Sequence, residues 1–282
     1  MSTTSDKCAL FRRLHESGCF VLPNPWDVGS ARYLESLGFK ALATTSSGTA
    51  WSLGKPDTRI TLDLALARIR ALVLATDLPV NADFESGYAA DAAGVVQNVA
   101  RCLETGVAAL SIEDSTGDPE QPLHDLATAV ERLRAARQAI DRGGSGALLV
   151  GRAECYLTGH PQPFAESIRR LQAYAAAGAD VLYAPGVSAP DEIAAIVAAV
   201  APKPVNVLAL ATMNLTVADL ASLGVRRVSL GGGLARAAWG GFLRAAREVA
   251  DAGTFTALAE APAFAEINGF FAGLRPETRE ED

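Results

Sequence analysis

Two carboxylates, Asp83 and Glu85, follow the apolar run Pro79-Val80-Asn81-Ala82 and lead into a loop that contains Gly87. Further on, Val107–Ile112 repeats the pattern and ends in Glu113-Asp114. Acidic groups at the ends of buried strands add little to stability. They are well placed to hold a hard divalent cation, and Mg²⁺ prefers such oxygen ligands. A third apolar run, Leu148-Leu149-Val150-Gly151, delivers Arg152 and Glu154. A cation at that point is costly unless an anion or acid faces it, and an arginine fork suits a substrate carboxylate.

These groups need a scaffold that gathers strand ends. Short, apolar, non-alternating runs read as strands buried on both faces of a parallel sheet. They are Cys19–Leu22, Ala41–Thr44, Pro79–Asp83, Ala108–Ile112, Ala147–Gly151, Asp180–Tyr183, Val205–Leu208 and Arg227–Ser229. Helical stretches fall between them: Val28–Leu37, Thr61–Ala75, Asp91–Glu104, Leu123–Ile140, Pro163–Ala177, Ala189–Val200 and Thr216–Leu223. Several stop at glycine, the usual left-handed stop. Eight strand–helix units in one unbroken alternation predict a (β/α)₈ TIM-type barrel spanning residues 1–282. The competing open dinucleotide-binding sheet lacks its fingerprint, since Gly143-Gly144-Ser145-Gly146 and Gly231-Gly232-Gly233 are wrongly spaced. Residues 234–274 hold more helix than the eighth unit needs. Trp239, Phe242, Phe264, Ile267, Phe270 and Phe271 there require a surface to cover, either the barrel bottom or a partner subunit. The charged residues from Arg275 on are expected to fray.

In such barrels, functional groups gather at the carboxyl ends of strands. In chain order these ends supply Trp26-Asp27, Ser46-Ser47-Gly48, Asp83 and Glu85, Glu113 and Asp114, Arg152 and Glu154, Tyr183, Asn206, and Ser229. Asp83 reads as a direct Mg²⁺ ligand, with Mn²⁺ as the alternative ion. Glu85 and Glu113 would be linked to the metal through water. Amides of Ser46 and Ser47 suit an oxyanion. Trp26 and Asp27 join the substrate-binding set, although Asp27 is equally placed to cap a helix. His124 reads as structural, and His15 and His160 as surface residues.

Composition narrows the partner. Net charge is −7 and no Lys/Arg run exists, which argues against nucleic acid. Cys8, Cys19, Cys102 and Cys155 lack zinc-like spacing and read as buried free thiols, in keeping with a reducing cytoplasm. Met1–Leu14 has no signal-peptide core. No run reaches the roughly 18 apolar residues of a membrane span.

The segments NPWDVGSARYLESLGFKALATTSSG, LGKPD, VNADFESGY, AALSIEDS, GRAE and KPVNVL together resemble the isocitrate lyase/phosphoenolpyruvate mutase superfamily, from about Leu22 to Gly233. The resemblance implies a Mg²⁺-dependent barrel acting on small 2-oxo or 2-hydroxy carboxylates, often through an enolate. By motif, Asp83 matches the direct metal ligand, and Asp57, Glu85 and Glu113 the water-linked acids. Ser46, Ser47 and Gly48 match the segment holding substrate carboxylate and oxygen, Arg152 the carboxylate-binding arginine, and Asn206 a polar lining residue. Asp57, Glu113 and Arg152 form the implied catalytic set. The eighth helix is expected to swap onto a neighbouring subunit, giving a homodimer or dimer of dimers.

The departures restrict the chemistry. Family lyases carry Lys-Lys/Arg-Cys-Gly-His after the fourth strand, with cysteine as the acid. Here the loop is Ser115-Thr116-Gly117-Asp118-Pro119-Glu120-Gln121-Pro122-Leu123-His124, and Gln121 takes the cysteine's place. It also lacks the basic groups a phosphonate would want, and Glu85 stands where the family has a second Asp. The expected activity is C–C cleavage or decarboxylation of an oxaloacetate-like dicarboxylate. P–C bond hydrolysis or mutase action and 2-oxo-acid binding with little turnover stay as alternatives. A Schiff-base aldolase is disfavoured, because Lys40, Lys55 and Lys203 lie off the barrel wall.

Overall fold

The computed structural model describes residues 3–274. Its strands are β1 (Phe20–Leu22), β2 (Leu42–Ala43), β3 (Val80–Asp83), β4 (Ala109–Glu113), β5 (Leu148–Arg152), β6 (Val181–Tyr183), β7 (Val205–Leu208) and β8 (Arg227–Ser229). Every pairing is parallel, in the order β1-β8-β7-β6-β5-β4-β3-β2. The Ala43 amide donates to the Pro23 carbonyl at 3.0 Å across the remaining seam, so the sheet is a nearly closed (β/α)₈ barrel. The sequence prediction of eight strands holds, with ends differing by a residue or so.

The helices are α1 (Thr4–Leu14), α2 (Val28–Ser36), α3 (Ser46–Ser52), α4 (Leu62–Ala75), α5 (Ala92–Leu103), α6 (Leu126–Gly143), α7 (Pro163–Ala176), α8 (Pro190–Val200), α9 (Val217–Ser222), α10 (Gly233–Ala252) and α11 (Phe264–Ala272). Side chains of Asp27, Thr61, Asp91, Asp125 and Thr216 each accept an amide of the first turn. Those caps fix where the chain leaves each loop. Helix α6 begins three residues later than the sequence suggests, because Leu123 bridges back to Ser115 and Asp125 caps the helix. Helices α1 and α3 go beyond the helices expected from the sequence: neither carries an apolar pattern long enough to signal itself.

The core is built from strand residues and the inner faces of helices, with Leu110, Leu149, Val181, Val207, Val99, Leu133 and Ile193 buried. His15 is a correction. It is buried, not on the surface, and its ring lies edge-on to Phe11 and Phe20 with centroids 4.9 and 5.0 Å away. All four cysteines are free; Cys8, Cys102 and Cys155 are buried and Cys19 is half-buried.

The chain divides into two compact units, Met1–Ala235 and Arg236–Asp282. In the second, Trp239, Phe242, Phe255, Phe264 and Ile267 are exposed, and Glu248 holds the turn before the 3₁₀ segment Thr256–Glu260 by accepting from the Thr254 hydroxyl and the Ala257 amide. Residues from Arg275 on, where fraying was expected, lie outside the described residues. Among the described residues no helix is long and apolar enough to cross a membrane.

Candidate active site

Strand register sets a row of side chains that runs from the barrel mouth down to its floor. Glu113 pairs with Arg152, Arg152 with Tyr183, Tyr183 with Asn206, and Asn206 with Arg227. Directly paired residues of a parallel sheet face the same way, so this row lines one wall. Asp83 pairs with Ser111, one step below Glu113.

Asp83 is fixed from three sides. Its amide donates to Thr44 Oγ1 at 2.8 Å, its Oδ2 accepts from the Ser46 amide at 3.0 Å, and its Oδ1 accepts from Arg152 Nη1 at 3.3 Å. Ser46 opens α3, whose amino-terminal amides favour anions. The helix sits so close that only glycine fits at Gly48: an added Cβ would lie 2.8 Å from Thr45 Cγ2 and 3.0 Å from Trp26 Cβ. Ser47 shares a 3.1 Å hydrogen bond with Thr45.

Arg152 is surrounded by acids. Nη1 lies 3.2 Å from Glu113 Oε2 and 3.3 Å from Asp83 Oδ1, while Nε contacts Glu154 Oε1 closely. Three carboxylates thus share one guanidinium. Burial lowers the Arg152 pKa, but Glu113, Glu154 and Asp83 outweigh it and hold the net value well above the ordinary range. Burial and the neighbouring acids Glu154, Asp83 and Glu85 leave Glu113 well above its ordinary value despite Arg152. Glu154 is raised by burial as well. Behind this row, buried Asp114 is a brace: Oδ1 accepts from the Glu154 amide at 2.8 Å, and Oδ2 accepts from Arg170 and the Tyr174 hydroxyl. Arg170 also reaches the backbone carbonyl of His124 at 2.9 Å.

Two more carboxylates crowd the mouth. Glu85 has a positive φ of 45°, a conformation non-glycine residues adopt at a cost, and accepts from the Tyr88 hydroxyl at 2.7 Å. Burial, with Asp83 and Asp57 repelling it, pushes its pKa up to about 7. Asp57 stands in an exposed loop and accepts from the Thr58 amide at 3.0 Å, yet its carboxyl end is partly shielded; that shielding and the charge of Asp83 raise its pKa. Hard oxygen donors with excess negative charge are what a divalent cation needs, and such an ion would relieve this repulsion. Among the described residues no three His, Cys, Asp or Glu side chains converge on one point. An ion here would therefore keep several waters, as Mg²⁺ does.

Not every predicted residue joins the cluster. Asp27 is spent on capping α2, its Oδ1 accepting the Ser30 amide and hydroxyl at 2.7 Å each. Trp26 packs on the α3 entrance. Asn206 is a floor residue, 1% exposed, accepting from Arg227 Nε at 2.8 Å and donating to Ser229 Oγ at 2.9 Å.

A cavity of about 240 Å³ opens beside the acids, between Thr58, Arg59, Glu85, Glu113, Ser115 and Thr116. Its far wall is the Ser115–Leu123 loop, pinned by the Thr116 amide to the Pro122 carbonyl and by the Thr116 hydroxyl to the Gln121 carbonyl. Gln121 is exposed on that turn. Arg59 is a lining residue the sequence reading missed; only its place two residues after Asp57 could have flagged it. Asn24 was missed too: it ties three strand ends, donating to the Thr44 carbonyl and accepting the Leu230 and Gly231 amides. A larger cavity, about 540 Å³, lies at the opposite end of the strands among Arg12, Asp180, Lys203 and Arg226. It shares no residue with the acid cluster, so size does not locate the chemistry.

The chain is similar to several known proteins. Residues 11–250 match the family model described as phosphoenolpyruvate phosphomutase. A solved structure from Burkholderia cenocepacia J2315, provisionally assigned as a lyase/mutase, superposes with a TM-score of 0.91 at 46% identity, covering 96% of this chain and 97% of that one. An uncharacterised protein of Mycobacterium tuberculosis H37Rv is 34% identical over 222 residues, 78% of this chain and 81% of its own length. An oxaloacetate decarboxylase of Paraburkholderia xenovorans LB400 is 30% identical over 206 residues, 70% of this chain and 66% of its own.

Proposed function

This chain belongs to the phosphoenolpyruvate phosphomutase family, within the isocitrate lyase/phosphoenolpyruvate mutase superfamily of lyases and mutases, and from that premise we propose that it is a Mg²⁺-dependent C–C lyase or decarboxylase of an oxaloacetate-like 2-oxo dicarboxylate. The observation that carries the reading is the acid cluster around Asp83 at the strand ends, with Arg152 held inside it. Asp83 would hold the ion directly, and Glu85, Glu113 and Asp57 through water. The ion would supply Lewis acidity to the 2-oxygen as charge builds there. Arg152 can leave its internal acids to grip the substrate carboxylate once a cation takes over their charge. The Ser46–Gly48 amides orient the same end. Arg59 across the cavity suits the second carboxylate.

The Ser115–Leu123 loop favours this over phosphonate chemistry, because it holds no Lys or Arg to bind a dianionic group. It also lacks a thiol acid, which disfavours isocitrate-type cleavage. The test is purified protein with Mg²⁺ against oxaloacetate, 2-methylisocitrate and phosphonopyruvate. Oxaloacetate turnover that stops with a chelator and returns with Mg²⁺ is expected; absence of metal-dependent turnover of any 2-oxo acid sinks the reading. Binding of oxaloacetate without turnover would favour a binding protein.

The exposed aromatic residues of 236–274 support a role for this unit in subunit association, with α10 contributed to a second copy in a dimer or dimer of dimers. Sedimentation of the full chain should give a dimer or tetramer, and Phe242→Asp with Phe264→Asp should yield monomer.

A further inference from the structure

We propose that Arg132 is a positioning residue of the site: from α6 it holds the backbone of the loop after β3, and so fixes where Glu85 stands near Asp83. The inference rests on the reading of Glu85 as an acid that meets the metal ion through water.

The chain from Phe84 to Ala90 lies outside helix and strand, yet each of its seven carbonyls has a donor. The Gly87 amide donates to the Phe84 carbonyl at 2.9 Å, and the Glu113 amide to that of Glu85 at 3.0 Å. The other five are served by side chains. Arg132 Nη2 donates to the carbonyls of Ser86 at 2.6 Å and Ala89 at 2.7 Å, and Nη1 to that of Ala90 at 3.3 Å. Asn98, on α5, donates to the carbonyls of Gly87 at 3.0 Å and Tyr88 at 2.8 Å.

Arg132 is 2% exposed. Burying a guanidinium is costly without an acid partner. Among the described residues no carboxylate forms an ion pair with it, and its Nε has no hydrogen-bond partner. Its fork is given to three carbonyls instead. What those bonds secure is a strained backbone. Glu85 and Tyr88 both have positive φ, 45° and 52°, and such residues persist only where their surroundings over-determine them. Gly87, between them, has φ of 87°, and an added Cβ there would lie 3.2 Å from Val95 Cγ2 of α5. This turn brings the Tyr88 hydroxyl to 2.7 Å from Glu85 Oε1. Arg132 bonds no side chain of the site. It acts on Glu85 through the backbone, and Asn98 assists it from the neighbouring carbonyls.

The test is Mn²⁺ binding to purified protein without substrate, followed by electron paramagnetic resonance. It is run at a temperature where circular dichroism shows each variant folded. Arg132→Met should weaken Mn²⁺ binding by about 10- to 100-fold, the usual effect of losing a residue that orients a metal's partners. Asn98→Leu frees two carbonyls of the same loop. It should weaken binding less, and it keeps the test open should Arg132→Met not fold. Glu85→Gln should weaken binding as well. Adding Arg132→Met or Asn98→Leu to Glu85→Gln should then cost little more, because a residue that acts through Glu85 has nothing left to position. A residue that serves only the fold would give losses that multiply in the Glu85→Gln background, and that result overturns the proposal. Wild-type affinity in both Arg132→Met and Asn98→Leu overturns it too, as does a Glu85→Gln protein that binds Mn²⁺ like wild type. A wild-type protein that neither binds Mn²⁺ nor turns over oxaloacetate would instead sink the functional reading on which the proposal stands.

Discussion

The mouth and the floor of this barrel handle buried charge in opposite ways. At the mouth, Asp83, Glu113 and Glu154 crowd one arginine, with Glu85 and Asp57 close by, and Glu113, Glu154, Glu85 and Asp57 are pushed above their ordinary pKa by burial and mutual repulsion. Among the described residues, the non-glycine positions with positive φ, Thr58, Glu85 and Tyr88, all lie in the loops around this cluster. On the floor, Arg227 is as deeply buried, yet it faces the side-chain oxygens of Asn206 and Asn81 rather than an acid. Burial lowers its pKa to about 10, still far above neutrality. The floor is arranged so that each polar group has a neutral partner. The mouth is arranged so that its charge balances only when a cation and an anionic substrate arrive.

That contrast predicts opposite outcomes for comparable substitutions, and the largest effect belongs to the mouth. Asp83→Asn removes the proposed direct ligand and the repulsion it exerts on Glu85, Asp57 and Glu113. Mg²⁺-dependent turnover should fall on the order of 10³-fold, comparable to loss of a principal electrostatic contact. The melting temperature without metal should hold or rise. Retained metal affinity, or a destabilised fold with intact turnover, would erase the distinction between the two regions.

The floor should respond in the other currency. Arg227→Met leaves the Asn81 and Asn206 oxygens buried without that donor. An unsatisfied buried acceptor costs about 1–3 kcal/mol, so urea denaturation should show a loss of that order. A variant as stable as the wild-type protein would mean that the floor network, like the mouth, is kept for chemistry alone.

The sequence shows the mouth better than the floor, for a physical reason. Asp83, Glu113 and Arg152 each end an apolar run, so the pattern that marks a buried strand also marks where its charge emerges. The eight strands and most helix starts are legible for the same reason, through periodicity and capping residues such as Asp91 and Thr216. The floor depends on register between strands far apart in sequence: Asn81 meets Arg227 across 146 residues. Nothing local in Arg226-Arg227-Val228 says which arginine turns inward. Helix α3 was hidden because its serines and glycine read as loop, and it forms only because Thr45 caps it and Gly48 admits the close approach of Trp26.

The smallest effect concerns His15, below the floor, where a titratable group is kept neutral without any acid beside it. Its Nδ1 bonds the Phe11 carbonyl at 2.8 Å, and its Nε2 has no hydrogen-bond partner. Burial first, then Arg227, lowers its pKa from 6.5 to about 3. Between those values the unfolded chain binds a proton that the folded chain refuses. Stability present above pH 6.5 is therefore lost as the pH falls toward 3, at about 1.4 kcal/mol per pH unit at most. The acids of the mouth titrate in both proteins when wild type is compared with His15→Leu, so their contribution cancels in the difference. Urea denaturation at pH 7, 5 and 4 should show wild type losing more stability on acidification than His15→Leu. Parallel losses would show that His15 accepts its proton in the folded protein, and that the neutral character of the floor ends at Arg227.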